Sequence, residues 1–211
     1  MFEEKGGNLV VISPPHHIRE EHEMVIQMID AGLRYYHVRK TAYTQDQTAR
    51  YLMEYPDRYR RLMILHEHYQ LAVRYGLAGI HITKKNKNKG YEDHFSHLHV
   101  SISTHSCEEI WNLQRPYHYA FLSPVFDSLS KKKYASAFDK EELHDFFSTY
   151  SQKIPVMALG GIHPGNIMKL KNIGFSGYAV LGAIWGNFPE QLIPGLSLEV
   201  FRKLNRMVSK P

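Results

Sequence analysis

The sequence predicts a single (β/α) barrel of eight parallel strands, and two observations carry this prediction. Short runs rich in apolar and β-branched residues recur along the whole chain, and amphipathic helical patterns separate most of them. Near-continuous apolar strands joined by helices are typical of a parallel sheet that is covered on its outer side. Eight such units within 211 residues favour closure into a barrel, with an open doubly wound sheet as the alternative. The predicted strands are 9–12, 35–38, 62–65, 79–82, 98–102, 117–122, 154–159 and 177–181.

The connections between the predicted strands differ in how clearly they indicate helices. Apolar residues share one helical face in the stretches 24–29, 143–147 and 167–173. The fourth connection, 83–96, is basic, contains Gly90 and shows only a short periodic stretch at 91–95, so we expect it to be irregular. No linker or change of composition divides the chain, and residues 1–211 are therefore expected to form one domain.

The composition excludes several classes of protein. Apolar residues make up 43% of the chain and charged residues 22%, as in folded globular proteins. The single cysteine, Cys107, excludes an intrachain disulfide and a multi-cysteine zinc site, and it fits a reducing compartment. No apolar run approaches the roughly 18 residues of a membrane span, and the first residues are acidic where a signal peptide would be basic. We therefore expect a cytoplasmic protein without a membrane partner.

The net charge of +5 indicates anionic partners. The densest basic stretches, 84–89 and 131–133, lie in segments that are predicted to be loops. Solvated loops explain them better than a nucleic-acid patch does, so we expect small phosphorylated ligands and no nucleic acid. The oligomeric state cannot be inferred from these patterns.

Glycines follow the last two predicted strands. Gly160 and Gly161 come after the seventh strand, and Gly182 and Ala183 come after the eighth. In (β/α) barrels the loops after strands seven and eight often hold phosphate. Glycine lets backbone N–H groups approach an anion closely, and a helix amino end adds a favourable dipole. These four residues are therefore predicted to bind phosphate.

Polar residues also follow the other predicted strands, where the active sites of such barrels lie. They are Arg39, Lys40, His66, Glu67, His81, Ser103, Thr104, His105, Ser128, Ser130 and Lys131. Arginine and lysine at this end would neutralise phosphate oxygens. Individual members have structural interpretations too: Ser103 or Thr104 is a candidate cap for a helix at 106–113, and His81 is a candidate wall residue or hydrogen-bonded core histidine.

A series of motifs, in order along nearly the whole chain, resembles the thiamin phosphate synthase and TenI-like family of (β/α) barrels. The motifs are His37-Val38-Arg39-Lys40, Gly79-Ile80-His81-Ile82, Ser103-Thr104-His105, Ser123-Pro124-Val125-Phe126-Asp127-Ser128-Leu129-Ser130-Lys131, Ile154-Pro155-Val156, Gly160-Gly161-Ile162 with Asn166, Gly177-Tyr178-Ala179-Val180 and Gly182-Ala183-Ile184. Each motif alone is weak evidence. The ordered series is specific.

This resemblance implies roles for the site residues. Gly161, Gly182 and Ala183 would hold the phosphate of a thiazole phosphate through backbone N–H groups. In the synthase, Arg39, Ser103 and Lys131 would face a pyrimidine pyrophosphate, whose pyrophosphate leaves before the thiazole nitrogen attacks. The remaining expected substrate-binding residues are His37, Lys40, His81, Ser128 and Ser130.

The chain departs from the synthase pattern at the expected Mg²⁺ ligands. Where the family has Ile-Asn-Asp the chain has Leu65-His66-Glu67, and where a second Asp is expected it has Asn86. Glu67 and Asn86 could still contact a metal through oxygen, but with one negative charge fewer.

The resemblance leaves two activities and one binding function open. A TenI-like thiazole tautomerase needs no metal, and His105 stands at the position of its proton carrier. We favour this activity because the Mg²⁺ set is altered while the phosphate loops and His105 remain. The alternatives are a Mg²⁺-dependent thiamin phosphate synthase and, in a different class, a non-catalytic regulator that binds thiazole phosphate.

Overall fold

Eight short strands close into a barrel in a computed structural model of the chain, which describes residues 9–87, 89–114, 117–126, 138–151, 154–186 and 194–209. All neighbouring strands run parallel, and the first strand pairs with the eighth. The predicted barrel is confirmed, and the alternative of an open sheet is wrong. The strands are β1 (Leu9–Ile12), β2 (Tyr35–Val38), β3 (Met63–Leu65), β4 (Gly79–Ile82), β5 (His99–Thr104), β6 (Tyr119–Leu122), β7 (Val156–Leu159) and β8 (Gly177–Val180).

Helices cover the outside of the barrel in the described ranges. They are α1 (Glu21–Asp30), α2 (Gln45–Met53), α3 (Asp57–Arg60), α4 (Gln70–Arg74), α5 (Tyr91–His94), α6 (Cys107–Trp111), α7 (Lys140–Thr149), α8 (Gly182–Trp185) and α9 (Pro194–Val208). The irregular fourth connection is confirmed, because α5 is a single turn that follows Gly90 at a φ of 71°. The stretch expected to be helical after β7 contains a short 3₁₀ helix, Ile167–Leu170.

Side-chain hydrogen bonds determine where two of the helices begin. Thr44 and Gln47 form a reciprocal capping box at the start of α2. Ser106 caps α6 by accepting a hydrogen bond from the Glu109 amide at 3.0 Å. The expectation that Ser103 or Thr104 caps this helix is wrong, because β5 continues through both residues.

The buried residues form two groups, one on each side of the sheet. The inner group fills the barrel and consists of Val10, Ile12, Ile64, Tyr119, Phe121, Met157 and Ala179. The outer group, which is much larger, lies between the strands and the helices. Alternation along each strand places one set of side chains inside and the other outside. Residues two positions apart on a strand therefore face the same side of the sheet. The barrel interior also contains polar side chains.

None of the helices in the described ranges is both long enough and apolar enough to cross a membrane.

Candidate active site

The loops after β7 and β8 have the backbone geometry expected of an anion site. Gly160 and Gly161 have φ angles of 105° and 62°, which favour glycine. The amides of Ile184 and Trp185 both bond to the carbonyl of Leu181. Gly182 and Ala183 precede them, so their amides are among the helix-start N–H groups that have no acceptor within the helix.

Gly160 and Gly182 differ in what surrounds them. A Cβ atom on Gly160 would lie 2.8 Å from the Cα of Pro124, so this glycine is needed where the chain after β6 crosses the chain after β7. The amide of Val125 bonds to the carbonyl of Leu159 at 3.0 Å across the same contact. A Cβ on Gly182 would meet no atom within 4 Å. The space in front of Gly182 is therefore open, as an anion site requires.

His105 is exposed and lies directly after β5, where the resemblance expects it. Its Nδ1 lies 2.9 Å from the backbone carbonyl of Ser123. Because a carbonyl only accepts hydrogen bonds, Nδ1 carries the proton and Nε2 of the neutral ring keeps its lone pair. The fixed tautomer makes Nε2 available as a base.

Lys40, which was expected to contact substrate, is paired with Glu21 in the structure. The Lys40 ammonium lies 2.5 Å from the Glu21 carboxylate, and the two side chains are only 1% and 2% exposed. Lys40 Nζ also donates to the carbonyl of His16 at 2.9 Å. Tyr36 and Tyr51 donate to the other carboxylate oxygen of Glu21, at 2.8 and 2.6 Å. Burial lowers the pKa of Lys40, and the nearby Glu21 carboxylate opposes this shift. Lys40 therefore joins the chain after β2 to α1.

His37 and His81 were also expected to contact substrate, but both are buried inside the barrel. The ring nitrogens of His81 lie 2.8 Å from Ser101 Oγ and 2.7 Å from Ser103 Oγ. Those of His37 lie 2.6 Å from Tyr119 Oη and 2.9 Å from His66 Nε2. The interpretation of His81 as a hydrogen-bonded core histidine is confirmed. With both nitrogens occupied, neither His37 nor His81 has a free position for substrate in this arrangement.

Burial keeps these histidines neutral. It lowers the pKa of His81 to about 3, with a smaller contribution from the positive charge of Arg39. Burial also lowers the pKa of His37 and His66 well below the usual range; for His66 the proximity of His81 and His37, which could not all be protonated together, and the charge of Arg39 add to the effect. Arg39 is half-buried and its amide donates to Ser13 Oγ at 2.8 Å. Its guanidinium is one positive charge that contributes to these lowered pKa values.

Glu67 and Asn86, the residues expected to hold Mg²⁺, line one cleft of about 300 Å³ with Lys85 and Lys89. Glu67 Oε1 lies 3.5 Å from the Lys85 ammonium, and Asn86 Oδ1 lies 3.5 Å from the Lys89 ammonium. The Asn86 amide nitrogen donates to Tyr69 Oη at 2.9 Å. Mg²⁺ requires several oxygen ligands in octahedral geometry. One carboxylate and one amide oxygen, each beside an ammonium group, are a poor ligand set for this ion.

The remaining site predictions have different outcomes. Ser128, Ser130 and Lys131 lie outside the described residues. Ser103 lies inside the barrel mouth, but its hydroxyl bonds to His81. Ser101 and Tyr119, which the sequence analysis missed, bond to the same histidines. Strand alternation could have indicated Ser101, because it precedes Ser103 by two residues and therefore shares its face.

Comparisons with known proteins identify the family of this barrel. The family model described as thiamine monophosphate synthase, TMP-TENI, matches residues 9–184. A thiamine-phosphate synthase of Prochlorococcus marinus is 30% identical over 138 residues, which is 61% of this chain and 37% of that protein. A thiamine-phosphate synthase of Dictyoglomus thermophilum is 26% identical over 165 residues, which is 74% of this chain and 72% of that protein.

Solved structures extend the comparison to the whole barrel. Thiamine phosphate pyrophosphorylase from Bacteroides thetaiotaomicron superposes with a TM-score of 0.80 at 32% identity, covering 95% of this chain and 96% of that one. The pyrophosphorylase from Pyrococcus furiosus has a TM-score of 0.75 at 19% identity, covers 95% of each chain and supports the fold alone. Since the family model spans most of the sequence, the chain belongs to the thiamine monophosphate synthase and TenI family of thiamin-biosynthesis enzymes.

Proposed function

We propose that this protein binds a thiazole phosphate at the carboxyl ends of its strands and catalyses its tautomerisation, with His105 moving the proton. The observation that carries the proposal is the 2.9 Å contact of His105 Nδ1 with the Ser123 carbonyl, from which we infer that Nδ1 donates and Nε2 is left as a base. Histidine titrates near neutral pH, so it can both accept and return a proton. Family membership supplies the class of substrate.

The substrate phosphate would bind to the amides of Gly161, Gly182 and Ala183. The left-handed backbone of Gly161 and the open space at Gly182 support this position. The phosphate is dianionic near neutral pH, and backbone N–H groups at a helix start favour such a charge. This contact would hold the thiazole ring over the barrel mouth.

The proton transfer then needs one residue that acts as base and acid. His105 Nε2 removes a proton from one position of the thiazole carboxylate phosphate, and the ring electrons shift. The resulting imidazolium returns the proton at the other end of the shifted double bond, which yields the aromatic tautomer. No bond to phosphorus breaks and no oxidant is consumed. The reaction therefore balances with the substrate and His105 alone.

A second candidate is synthase activity, because the curated relatives carry the name thiamine-phosphate synthase. The family resemblance implies that Arg39 would face a pyrimidine pyrophosphate, and the effect of its positive charge on His81 supports a position near the barrel interior. The pairing of Glu67 with Lys85 and of Asn86 with Lys89 opposes a Mg²⁺-dependent departure of pyrophosphate. The tautomerase proposal does not depend on this ion.

The experiment supplies purified, tag-free protein with each set of substrates separately. We expect turnover of the thiazole carboxylate phosphate without added Mg²⁺. His105→Ala should lower kcat by about 10²-fold to 10⁴-fold, the usual contribution of a general acid–base residue. His144→Ala is the control, because His144 is exposed on α7.

Two other results would replace the proposal. Formation of thiamin phosphate from thiazole phosphate and the pyrimidine pyrophosphate, lost in Arg39→Ala, would assign the synthase reaction. Tight binding of thiazole phosphate without turnover of either set would indicate a non-catalytic regulator. Tautomerisation that is unchanged in His105→Ala would remove the proposed acid–base residue.

A further inference from the structure

Three histidines from neighbouring strands meet in the upper interior of the barrel. His37 lies on β2, His66 follows β3 and His81 lies on β4, and their exposed fractions are 0%, 4% and 0%. Each ring offers a nitrogen that lies within 4.8 Å of a nitrogen of the other two. His37 Nδ1 and His66 Nε2 are the nearest pair, at 2.9 Å. Burying an imidazole costs free energy, and no carboxylate among the described residues bonds to these three rings, so the cluster requires an explanation.

The hydrogen bonds of the cluster leave one nitrogen unsatisfied. His66 Nδ1 is buried and has no hydrogen-bond partner among the described residues. The other two rings have hydrogen-bond partners. His37 Nε2 lies 2.6 Å from Tyr119 Oη, and both ring nitrogens of His81 bond to serine hydroxyls. Histidines that bind a metal usually bond through the second ring nitrogen to such an outer partner, which fixes the ring.

We propose that His37, His66 and His81 form a binding site for a transition-metal dication such as Zn²⁺ or Co²⁺. The ligands are His37 Nδ1, His66 Nε2 and one ring nitrogen of His81, while Tyr119 and a serine orient the rings of His37 and His81. Imidazole suits Zn²⁺ and its neighbours, whereas Mg²⁺ prefers oxygen. The three imidazoles would leave a fourth position of a tetrahedral ion for water or an anion, as in catalytic metal sites.

The rings must move a short distance to bind an ion. Zn–N bonds of about 2.0 to 2.1 Å in a tetrahedral site place the ligand nitrogens about 3.3 Å apart. The nearest pair, at 2.9 Å, must separate slightly, and the third nitrogen must approach from within 4.8 Å. The rings of His66 and His81 are stacked with centroids 4.3 Å apart and an angle of 29°, so one of them must turn. These are side-chain movements that require no change of strand register.

The positive charge of Arg39 predicts how the site responds to anions. Its guanidinium acts on His66 and His81 and would repel a bound dication. An anion at the open metal position would offset part of this repulsion, because it attracts both the dication and the guanidinium. Inorganic phosphate should therefore strengthen metal binding, which distinguishes this site from scattered surface histidines.

The test measures metal binding by the full-length, tag-free protein after removal of metals with a chelator. Equilibrium dialysis with Zn²⁺ and visible absorption with Co²⁺ should give one ion per chain. His66→Asn restores the residue type of the family pattern and should weaken binding by about 100-fold or more, since outer partners alone contribute 10-fold to 100-fold. His144→Ala, on the exposed face of α7, should bind like the wild type.

Wild-type protein that binds neither ion would overturn the proposal, and so would His66→Asn protein that still binds one equivalent. If His66→Asn does not fold, X-ray absorption of the Co²⁺-loaded wild type decides: three imidazole ligands are expected, and a shell of oxygen ligands would contradict the assignment. These readouts do not involve turnover of thiazole phosphate. The metal site and the proposed tautomerase reaction can therefore fail independently.

Discussion

Removing the Lys40 ammonium while keeping the length of its side chain should destabilise the protein strongly. In Lys40→Met the Glu21 carboxylate remains 2% exposed and keeps only the hydroxyls of Tyr36 and Tyr51. Breaking a buried ion pair by removing one partner costs about 3 to 5 kcal/mol, because the other charge is left uncompensated. For a domain of this size the loss corresponds to a fall in Tm of about 6 to 20 °C.

Urea denaturation measures the free energy of unfolding of this variant and of two controls. Lys85→Met removes the partner of Glu67, but Lys85 is 76% exposed, so it should cost less than about 1 kcal/mol. Combining Lys40→Met with Glu21→Gln should recover much of the loss, because no isolated charge remains buried.

The same variant separates a structural role for Lys40 from a substrate-binding one. Since its ammonium faces Glu21, the affinity of folded Lys40→Met protein for thiazole phosphate should be unchanged at a temperature well below its Tm. A stability change below about 1 kcal/mol together with a large loss of affinity would refute this reasoning.

Three further predictions concern other parts of the chain. Gly160→Ala should lower Tm because its Cβ would clash with Pro124. Gly182→Ala should leave Tm nearly unchanged and weaken thiazole phosphate binding measured by calorimetry. Equal Tm values for the two variants would contradict this. Burial, with a contribution from His118, lowers the pKa of His99 to about 4. The unfolded state therefore binds more protons between about pH 6.5 and 4, and stability falls as the pH is lowered. His99→Gln should flatten this dependence of Tm on pH. Calorimetry should give the same result for Mg²⁺ with the wild type and with Glu67→Gln, because an ammonium already pairs with this carboxylate; Mg²⁺ binding that is lost in Glu67→Gln would contradict this.

The strands were predictable because their signal is local. Each predicted run overlaps an observed strand, and the largest differences are two residues: 117–118 before β6, 154–155 before β7, and 103–104 at the end of β5. Strand ends depend on which backbone groups find a partner across the barrel, and a run of apolar residues does not contain that information. The weak helical pattern of the fourth connection correctly indicated a short, irregular element.

The roles of individual polar residues were less predictable, because they depend on distant partners. Lys40 follows Arg39 directly, but its side chain bonds to Glu21, which lies 19 residues earlier. The pairing of β2 with β3 partly predicts the histidine cluster. His37 pairs with Ile64, so His66 lies two residues further along the same face. Nothing local indicates that His66 Nδ1 lacks a partner.

A crystal structure with thiazole phosphate bound would test the central claim most directly. The account predicts phosphate oxygens within hydrogen-bond distance of the amides of Gly161, Gly182 and Ala183, with His105 Nε2 beside the thiazole ring. A phosphate bound instead near Lys85 and Lys89, with those three amides facing away from it, would contradict the account.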